Sequence, residues 1–255
     1  MIYDKLTVAL LGTLASERRD STNAHIARYL LSHQDELEVL SVKALAQACN
    51  VGTGTVSRFC REVGFADFDE LRQGIAGTQR TYEQIGVGDT PEVRGLELCA
   101  AVSSALGQAV SGVDWRALDR LVDDLLSYES ISVFGMLKAQ AAAVDLQVDL
   151  LMQGICADTC VSHAEQLDRI AKAGSDELVV VFSYTGSYFD AHDLTEAMRR
   201  VDRPKIWVVC GRRHQLPPFV ADRLLFTSSG SQVGHPYQLE LVAGLIAQEL
   251  VRRQG

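Results

Sequence analysis

The sequence predicts two domains of different fold class: an all-α N-terminal domain, and an α/β domain built on a doubly wound, parallel, five-stranded sheet. Two observations support this prediction. Up to residue 76, apolar residues recur at helical spacing in short segments that are separated by turn signals. From residue 131 onward, short apolar runs alternate with helical stretches, which is typical of βαβ units whose sheet is covered on both faces.

Five short amphipathic helices are predicted in the N-terminal region. The first stretch is apolar, but Asp4 and Lys5 lie within it and its leucines recur at helical spacing. It is therefore predicted to be a helix rather than a signal peptide. The predicted helices cover 4–16, 22–32, 41–48, 54–63 and 68–76.

A linker is predicted after these helices. Residues 77–92, GTQRTYEQIGVGDTPE, hold three glycines, one proline and few apolar side chains. Two further helices are predicted at 93–110 and 114–127. The expected organisation is therefore a domain at 1–77, a linker with connecting helices at 78–120, and a second domain at 121–255.

The second domain is predicted to alternate strands and helices. Its strands are expected at 131–135, 154–158, 177–183, 205–210 and 222–227, and its helices at 138–152, 163–173, 187–200 and 234–253. Crossovers between parallel strands are nearly always right-handed, and ligands in such sheets bind beyond the carboxyl ends of the strands, at a switch point. The segments FGMLKA and SYTGSY both lie at that predicted edge.

The charge of the chain differs between its two parts. The net charge is −9, but residues 1–80 carry nine Lys or Arg against ten Asp or Glu, while the remainder carries 15 against 23. The acidic total therefore does not exclude nucleic acid as a partner of the first domain. No apolar run reaches the roughly 20 residues that span a bilayer, so we expect a cytoplasmic protein without a membrane partner.

Six cysteines are scattered along the chain. The one close pair, Cys156 and Cys160, has neither a second pair nor a histidine nearby, whereas a zinc site needs three or four ligands. Buried, reduced thiols are the favoured interpretation. We expect no metal and no other cofactor.

Residues 40–65, LSVKALAQACNVGTGTVSRFCREVGF, carry the pattern of two crossing helices. Ser41 is suited to cap the first helix, Asn50 to adopt the left-handed geometry of a tight turn, and Val51 to fill the space between the helices. This arrangement is a helix-turn-helix, whose second helix can enter a major groove of DNA. Periodicity alone leaves open an ordinary helical hairpin with a polar outer face.

The residues that would contact DNA lie on the outer faces of these two helices: Lys43, Thr53, Gly54, Thr55, Ser57, Arg58 and Arg61. The two arginines are long cations on the helix expected to lie in the groove, and at least one should contact phosphate or guanine. Thr55 has a second interpretation, in which its side chain packs inside the turn.

This stretch resembles the N-terminal domain of RpiR-type transcriptional regulators, which have a pattern close to L-A-x-x-x-x-V-S-x-x-T-V-x-R-F-x-x-x-L-G-F. The matching residues are Leu45, Ala46, Val51, Thr55, Val56, Arg58, Phe59, Gly64 and Phe65. The resemblance covers nearly the whole chain and implies a double-stranded DNA operator as partner. Gly52 departs from it, because the family prefers a serine there that would cap the helix, and Gly54 adds backbone freedom in the first turn.

Residues from about 121 to 255 resemble the SIS (sugar isomerase) domain that RpiR-type regulators carry. Family members show G-x-G-x-S after the first strand and S-x-[ST]-G-x-[ST] after the third, and these turns hold the phosphate of a phosphosugar. The second motif is retained here in part as SYTGSY, with Tyr188 in the final hydroxyl position. The first is reduced to GMLKA, in which Leu137 replaces a glycine and Ala139 the serine.

The resemblance implies a phosphosugar effector. From the residues alone, a hydroxyl-rich turn before a helix suits phosphate, because the first amides of a helix are unpaired and lie at the positive end of its dipole. A turn that needs Gly186 and a capping hydroxyl merely to fold is the alternative. The candidate effector residues are Gly135, Lys138, Ser183, Tyr184, Thr185, Gly186, Ser187 and Tyr188.

No residue is assigned a catalytic role. The histidines and glutamates near the predicted edge show no spacing that demands catalysis, and the sequence contains no G-x-S-x-G, P-loop or H-E-x-x-H pattern. We therefore predict a regulator that senses a phosphosugar and controls a carbohydrate catabolic operon. A sugar-phosphate isomerase, and a regulator whose SIS-like domain only dimerises, are the alternatives.

A homodimer or homotetramer is expected, because a single small helix-turn-helix makes few base contacts and symmetric pairing doubles them. The helices near 93–127 and the C-terminal segment LELVAGLIAQELV have more apolar surface than one sheet should cover.

Overall fold

The computed structural model describes residues 5–33, 36–37, 39–73, 83–190, 194–211 and 214–255. The chain forms two compact units. The first contains the chain up to residue 80 together with Val161–Asp168, and the second contains Thr81–Cys160 and Arg169–Gly255. The expected boundary between residues 77 and 78 lies outside the described residues.

Among the described residues up to 73, the first unit holds five α-helices, which confirms the all-α prediction. They are α1 (Lys5–Ser16), α2 (Thr22–Ser32), α3 (Val42–Ala48), α4 (Thr53–Glu62) and α5 (Phe68–Gln73). Serine caps start two of them: Ser21 Oγ accepts from Ala24 N at the start of α2, and Ser41 Oγ accepts from Ala44 N at the start of α3, both at 3.1 Å. One apolar cluster joins all five helices, and its largest members include Leu6, Leu30, Leu45, Phe59 and Leu71.

The second unit contains the parallel sheet. Its elements are α6 (Pro91–Ser111), α7 (Trp115–Ser127), β1 (Ser130–Gly135), α8 (Lys138–Met152), β2 (Glu177–Phe182), β3 (Lys205–Cys210), β4 (Asp222–Leu225) and α10 (Gly234–Gln254). Helix α9 (His163–Lys172) lies between α8 and β2 in the chain. The strands are ordered β1-β2-β3-β4 and all pair in parallel, and β2 and β3 are buried along nearly their whole length.

The prediction of a fifth strand at 154–158 is wrong, because α8 ends with the first residues of that segment. Gly154 adopts a φ of +80°, Gly154 N donates to Leu151 O, and Ile155 N donates to Leu150 O, which is the Schellman arrangement that closes a helix. Only Asp158 then reaches the sheet, as an isolated bridge to Ser132 in β1.

That single bridge determines the topology at β1. Asp158 N donates to Ile131 O and Val133 N donates to Asp158 O, both at 2.8 Å, so Asp158 flanks β1 on one side while β2 flanks it on the other. The chain therefore reverses its direction of winding at β1, as a doubly wound sheet requires. Gly135, the last residue of β1, lies at the switch point where such folds bind ligands.

The prediction of a helix at 187–200 is also wrong. Residues 191–193 lie outside the described residues, and the remainder of the segment holds turns and one 3₁₀ helix, Ala197–Arg199. The segment SYFDAHD consists mainly of residue types with low helix propensity. Phe189 instead packs edge-on against Tyr188 and Phe219, at centroid distances of 4.8 and 5.2 Å.

Helices α6 and α10 bury very different shares of their surfaces. Helix α10 buries nine residues, whereas α6, which is equally long, buries only Ala105 and Ala109. The expected surplus of apolar surface is therefore found on α6, and α10 uses most of its apolar face within its own unit.

Within the described residues, no single helix is long and apolar enough to cross a membrane; α6 and α7 meet that criterion only together, across a bend of 82°.

The cysteines are only partly buried. Cys49, Cys60 and Cys210 are buried, and burial raises the pKa of Cys60 to about 11, so that thiol stays protonated. Cys99 and Cys156 are exposed, contrary to the expectation of buried thiols.

Candidate functional site

Helices α3 and α4 form a tight turn at the surface of the first unit. Asn50 adopts a φ of +54°, and Val51 N donates to Ala46 O at 2.9 Å, which closes the turn between the helices. Val56, Phe59 and Cys60 of α4 are fully buried in the apolar cluster. The inner face of α4 is thereby fixed, and its other faces are left for contacts outside the domain.

The predicted DNA-contacting residues lie mostly on those other faces. Thr53, Gly54, Ser57, Arg58 and Arg61 are exposed on α4, and so is Lys43 on α3. Thr55 is half-buried, an exposure that fits both a contact with DNA and packing inside the turn. The structure therefore presents the predicted residues on one short helix and its neighbour.

The polar side chains of α4 are held along the helix. Ser57 Oγ donates to Thr53 O at 3.1 Å, and Arg61 Nε donates to Ser57 O at 3.3 Å. Arg58 forms an exposed ion pair with Glu62 at 3.6 Å. Exposed ion pairs of this kind contribute little, so Arg58 can exchange this contact for phosphate at low cost.

The first turn of α4 has open space around its glycines. Gly52 is the N-cap residue and supplies no side-chain hydrogen bond. A Cβ atom at Gly52 or Gly54 would have no atom within 4 Å. Neither glycine is therefore required by packing inside the domain.

In the second unit, the two predicted phosphate turns leave the sheet side by side, because Gly135 pairs with Phe182 in the register of β1 and β2. Gly135 packs tightly: a Cβ atom there would lie 2.5 Å from Ala139 O. Leu137, which replaces a family glycine, adopts a φ of +54° and a ψ of −118°. The backbone thus keeps a glycine-like conformation although a leucine occupies the position.

The turn after β2 has several buried members. Ser183 is buried, and its carbonyl accepts from Gly186 N at 2.9 Å. Gly186 has a φ of +81°, and a Cβ atom there would lie 2.6 Å from His214 Cβ. The hydroxyls of Thr185 and Ser187 share a hydrogen bond of 2.6 Å. Gly186 is therefore required by the conformation and packing of this turn. The hydroxyl-bearing side chains of Thr185 and Ser187 are half-buried.

Tyr188 lies in the interior with 1% of its surface exposed. Burial, and secondarily the nearby Cys160, raises its pKa well above the usual value for tyrosine, so its phenol stays protonated. This burial favours a packing role over a contact with a ligand at the surface.

Tyr184 and Gln238 connect this turn to the loop before α10. The Tyr184 hydroxyl donates to Gln238 Oε1 at 3.4 Å, accepts from Gly230 N at 3.0 Å, and accepts from Ser228 Oγ. Gln238 Oε1 also accepts from Ser229 N, while its Nε2 donates to Ala105 O at 2.7 Å. The two loops therefore form one hydrogen-bonded edge.

Sequence reasoning missed the loop between β4 and α10. Residues 227–233, TSSGSQV, form another hydroxyl-rich turn with a glycine, which was the signal that could have identified it. Lys138 Nζ donates to Gln232 O at 3.3 Å, so this loop lies beside the first predicted phosphate turn. The neighbouring cleft has a volume of about 480 Å³ and is lined by Gly112, Gly211 and Leu225–Gly230.

His235, in the first turn of α10, lies at the same edge. Its ring packs against Tyr184 at a centroid distance of 4.7 Å, and only 4% of its surface is exposed. Burial, together with the charge of Lys138, lowers its pKa to about 4, so the imidazole is neutral at pH 7. Across the described ranges, no group of three or more His, Cys, Asp or Glu side chains is placed to hold a metal ion.

These features define a two-domain protein in which a helix-turn-helix is joined to a parallel α/β domain with a polar edge at its switch point. Residues 10–80 match the family model described as the helix-turn-helix domain, rpiR family. The helix-turn-helix region is therefore similar to the DNA-binding domains of the rpiR family, and the second domain has a parallel α/β fold of the SIS type.

Known proteins resemble this chain in both domains. The regulator HexR of Pseudomonas aeruginosa is 28% identical over 63% of this chain, and the match spans 58% of HexR. The Vibrio vulnificus NanR protein, solved in complex with ManNAc-6P, has the same fold over 97% of this chain and 92% of its own, with 16% identity and a TM-score of 0.56. The sugar isomerase domain of an RpiR transcription factor from Sphaerobacter thermophilus matches 62% of this chain and 90% of its own, with 20% identity and a TM-score of 0.51.

Proposed function

We propose that the protein is a DNA-binding transcriptional regulator that reads its operator with α4. One observation carries the proposal: α4 buries Val56, Phe59 and Cys60 and exposes Thr53, Ser57, Arg58 and Arg61, within a domain of the rpiR family. Hydroxyls and arginines at the start of such a helix can contact base edges and phosphates.

Selection from a pool of random duplexes, followed by titration at several salt concentrations, tests this proposal. Arg61→Ala should weaken binding and, if a phosphate contact is lost, reduce the salt slope by about one. Arg199→Ala is the matched control, since Arg199 is an exposed arginine of the second unit that pairs with Glu196. If folded protein selects no sequence, or if both variants weaken binding equally, the proposed role of α4 is wrong.

We propose further that the second domain senses a phosphosugar or a related anionic metabolite and thereby changes operator affinity. The candidate contacts are the hydroxyls of Ser183, Thr185 and Ser187 and the ammonium of Lys138, whereas the Gly186 amide donates to Ser183 O within the turn. Three features support this: the two turns leave the sheet side by side, the edge lies at the switch point, and the fold is shared with a protein solved with ManNAc-6P.

This effector site differs from the one expected from the sequence. Residues 187–190 form turns rather than the start of a helix, so hydroxyls and the Lys138 ammonium, and not the first amides of a helix, would hold the phosphate. A thermal-shift screen of sugar phosphates beside their unphosphorylated parents tests the site, repeated on Ser183→Ala. A response that ignores both the phosphate and the Ser183 substitution would place the ligand elsewhere.

The operator would be that of a carbohydrate catabolic operon, and the functional form a homodimer or homotetramer. Coupling between effector and DNA is reciprocal, so an effector that loosens DNA must bind the DNA-bound form less tightly. Turnover of a sugar phosphate by the purified protein would instead favour the isomerase alternative. A DNA complex that no sugar phosphate affects would favour a SIS-type domain that only dimerises.

A further inference from the structure

His214 packs against the turn that carries the candidate hydroxyls of the effector site. A Cβ atom at Gly186 would lie 2.6 Å from His214 Cβ and 3.4 Å from His214 Cγ, so a glycine is needed for the histidine to lie there. Thr185 and Ser187, on either side of Gly186, share a hydrogen bond of 2.6 Å between their hydroxyls. His214 therefore lies against the same turn as the hydroxyls proposed to bind an effector.

Two contacts hold His214 in this place. Its carbonyl oxygen accepts a hydrogen bond from Arg223 Nη1 at 3.0 Å, and its Nε2 lies 2.9 Å from Asp190 Oδ1. Asp190 belongs to the turn after β2, where its amide donates to Ser187 O. The imidazole ring thus connects the loop after β3 to the turn after β2. Because 36% of its side chain is exposed, a ligand from solvent can reach it.

The contact with Asp190 assigns the hydrogen of the imidazole ring to one nitrogen. An ionised carboxylate can only accept hydrogen bonds, so Nε2 is the donor, and Nδ1 of the neutral ring is then an acceptor. Among the residues that the structure describes, Nδ1 of His214 makes no hydrogen bond. This nitrogen can therefore accept a hydrogen bond from a group outside the chain.

An acceptor nitrogen at this position distinguishes the two parts of a sugar phosphate. Phosphate oxygens accept hydrogen bonds, so they suit the hydroxyls of Thr185 and Ser187 and the ammonium of Lys138. A phosphate dianion has no hydrogen to donate to Nδ1 of His214, whereas every hydroxyl of a sugar has one. The chemistry of His214 therefore matches the sugar and not the phosphate.

We propose that His214 is an effector-binding residue, oriented by Asp190, and that its Nδ1 accepts a hydrogen bond from a hydroxyl group of the ligand. This role rests on the proposed function of the same edge, and it narrows the class of ligand. The effector is a phosphate ester of a sugar or another polyol rather than a bare anion. The phosphate binds the hydroxyls of the turn, and a hydroxyl of the carbon skeleton binds His214.

Calorimetric titration of the full-length protein, without DNA, tests this role with four probes. Glucose 6-phosphate, fructose 6-phosphate and ribose 5-phosphate carry hydroxyls, whereas methyl phosphate carries the same phosphate group and no hydroxyl. At least one sugar phosphate should bind more tightly than methyl phosphate.

His214→Asn and His214→Gln form a matched pair of variants, because the side-chain amide of asparagine reaches the position of Nδ1 and that of glutamine the position of Nε2. His214→Gln should lower the affinity for the sugar phosphate about three- to tenfold, the effect of losing one hydrogen bond. His214→Asn should retain more of that affinity, since it keeps an acceptor where the ligand hydroxyl binds. Neither substitution should change the affinity for methyl phosphate.

A purely structural contact between His214 and Asp190 predicts the opposite order, because glutamine can keep the contact with Asp190 and asparagine cannot. Sugar-phosphate affinity that is normal in His214→Gln would therefore overturn the proposal. An equal loss for methyl phosphate would also overturn it, since His214 would then contact the phosphate. Thermal unfolding of the unliganded variants checks that both are folded.

Failure of His214 and failure of the proposed effector site give different results. If methyl phosphate binds and no sugar phosphate binds more tightly, the anion site stands and the role of His214 is wrong. If none of the four probes binds, the effector site itself is wrong, and the role of His214 with it.

Discussion

The hydroxyl of Tyr184 donates to Oε1 of Gln238 at a distance of 3.4 Å, and this contact joins the turn after β2 to helix α10. The same hydroxyl accepts from Gly230 N and from Ser228 Oγ. Tyr184 is one of the candidate effector residues, and its phenol is hydrogen-bonded to three groups of the protein. The shape of the candidate effector edge therefore depends on this one side chain.

We expect Tyr184→Phe to destabilise the second domain by about 0.5–1.5 kcal/mol, because the hydrogen bonds of the phenol are lost while Gln238 Oε1 keeps Ser229 N and Gly230 N keeps Ser228 Oγ. Thermal and urea unfolding measure the effect. Tyr237→Phe is the control, because Tyr237 lies on the same helix as Gln238 but is 44% exposed. A variant of normal stability that no longer binds an anionic effector would show that the Tyr184 hydroxyl contacts the ligand instead.

Leu137 gives a second prediction, from its φ of +54°. Alanine normally stabilises a chain relative to glycine, but at positive φ a Cβ atom is strained. We therefore expect Leu137→Gly to be more stable than Leu137→Ala by about 1 kcal/mol, although both lose the half-buried leucine side chain. Equilibrium unfolding of the two variants measures the difference. Alanine as the more stable variant would show that the turn relaxes to negative φ.

Most of the secondary structure could be predicted because its signals are local. The helix at 138–152 and the strand at 205–210 begin and end where the sequence predicts, since apolar periodicity and flanking turn residues determine both ends. The two errors come from competing signals. Gly154 ends α8 rather than starting a strand. Tyr188 and Phe189 fall in the helix predicted at 187–200, but they are buried in a turn instead.

The candidate site could be predicted only in part. SYTGSY and GMLKA are local motifs, and the register of β1 and β2 brings them together as a parallel sheet must. The contact of Glu83 with Ser231 joins residues 148 positions apart, and no local pattern indicates it. Such a contact depends on the packing of the whole second unit.

The third prediction concerns assembly. Helix α6 exposes Leu96 at 72%, and α8 exposes Leu151 and Met152 at 62% and 81%. Apolar surface of this kind is typical of interfaces, and a symmetric homo-oligomer is the simplest arrangement that covers it. We expect a dimer or tetramer by light scattering at micromolar concentration.

Leu96→Asp should shift that assembly towards the monomer, because a charge would be buried in the interface. Val201→Asp is a matched control, since Val201 is fully exposed in a turn of the second unit. If Leu96→Asp leaves the oligomer unchanged while Met152→Asp dissociates it, the interface is formed by α8 rather than by α6. A wild-type monomer would contradict the prediction altogether.

The fourth prediction concerns pH and follows from His235. Its pKa is about 4 in the folded protein against 6.5 for an ordinary histidine, so folding favours the neutral imidazole. The unfolded chain binds a proton as the pH falls below 6.5, whereas the folded chain does not until the pH approaches 4. The stability associated with His235 is therefore complete above pH 6.5 and declines as the pH falls from 6.5 to 4.

At pH 5 this difference in pKa corresponds to about 2 kcal/mol. His235→Phe keeps an aromatic ring against Tyr184 and removes the proton-binding group. Its free energy of unfolding should therefore change less than that of the wild type between pH 7.5 and pH 5. His25→Phe, at an exposed position of α2, should retain the wild-type dependence. Equal pH dependence of the wild type and His235→Phe would show that other groups cause the acid sensitivity and that His235 is hydrated in the folded protein.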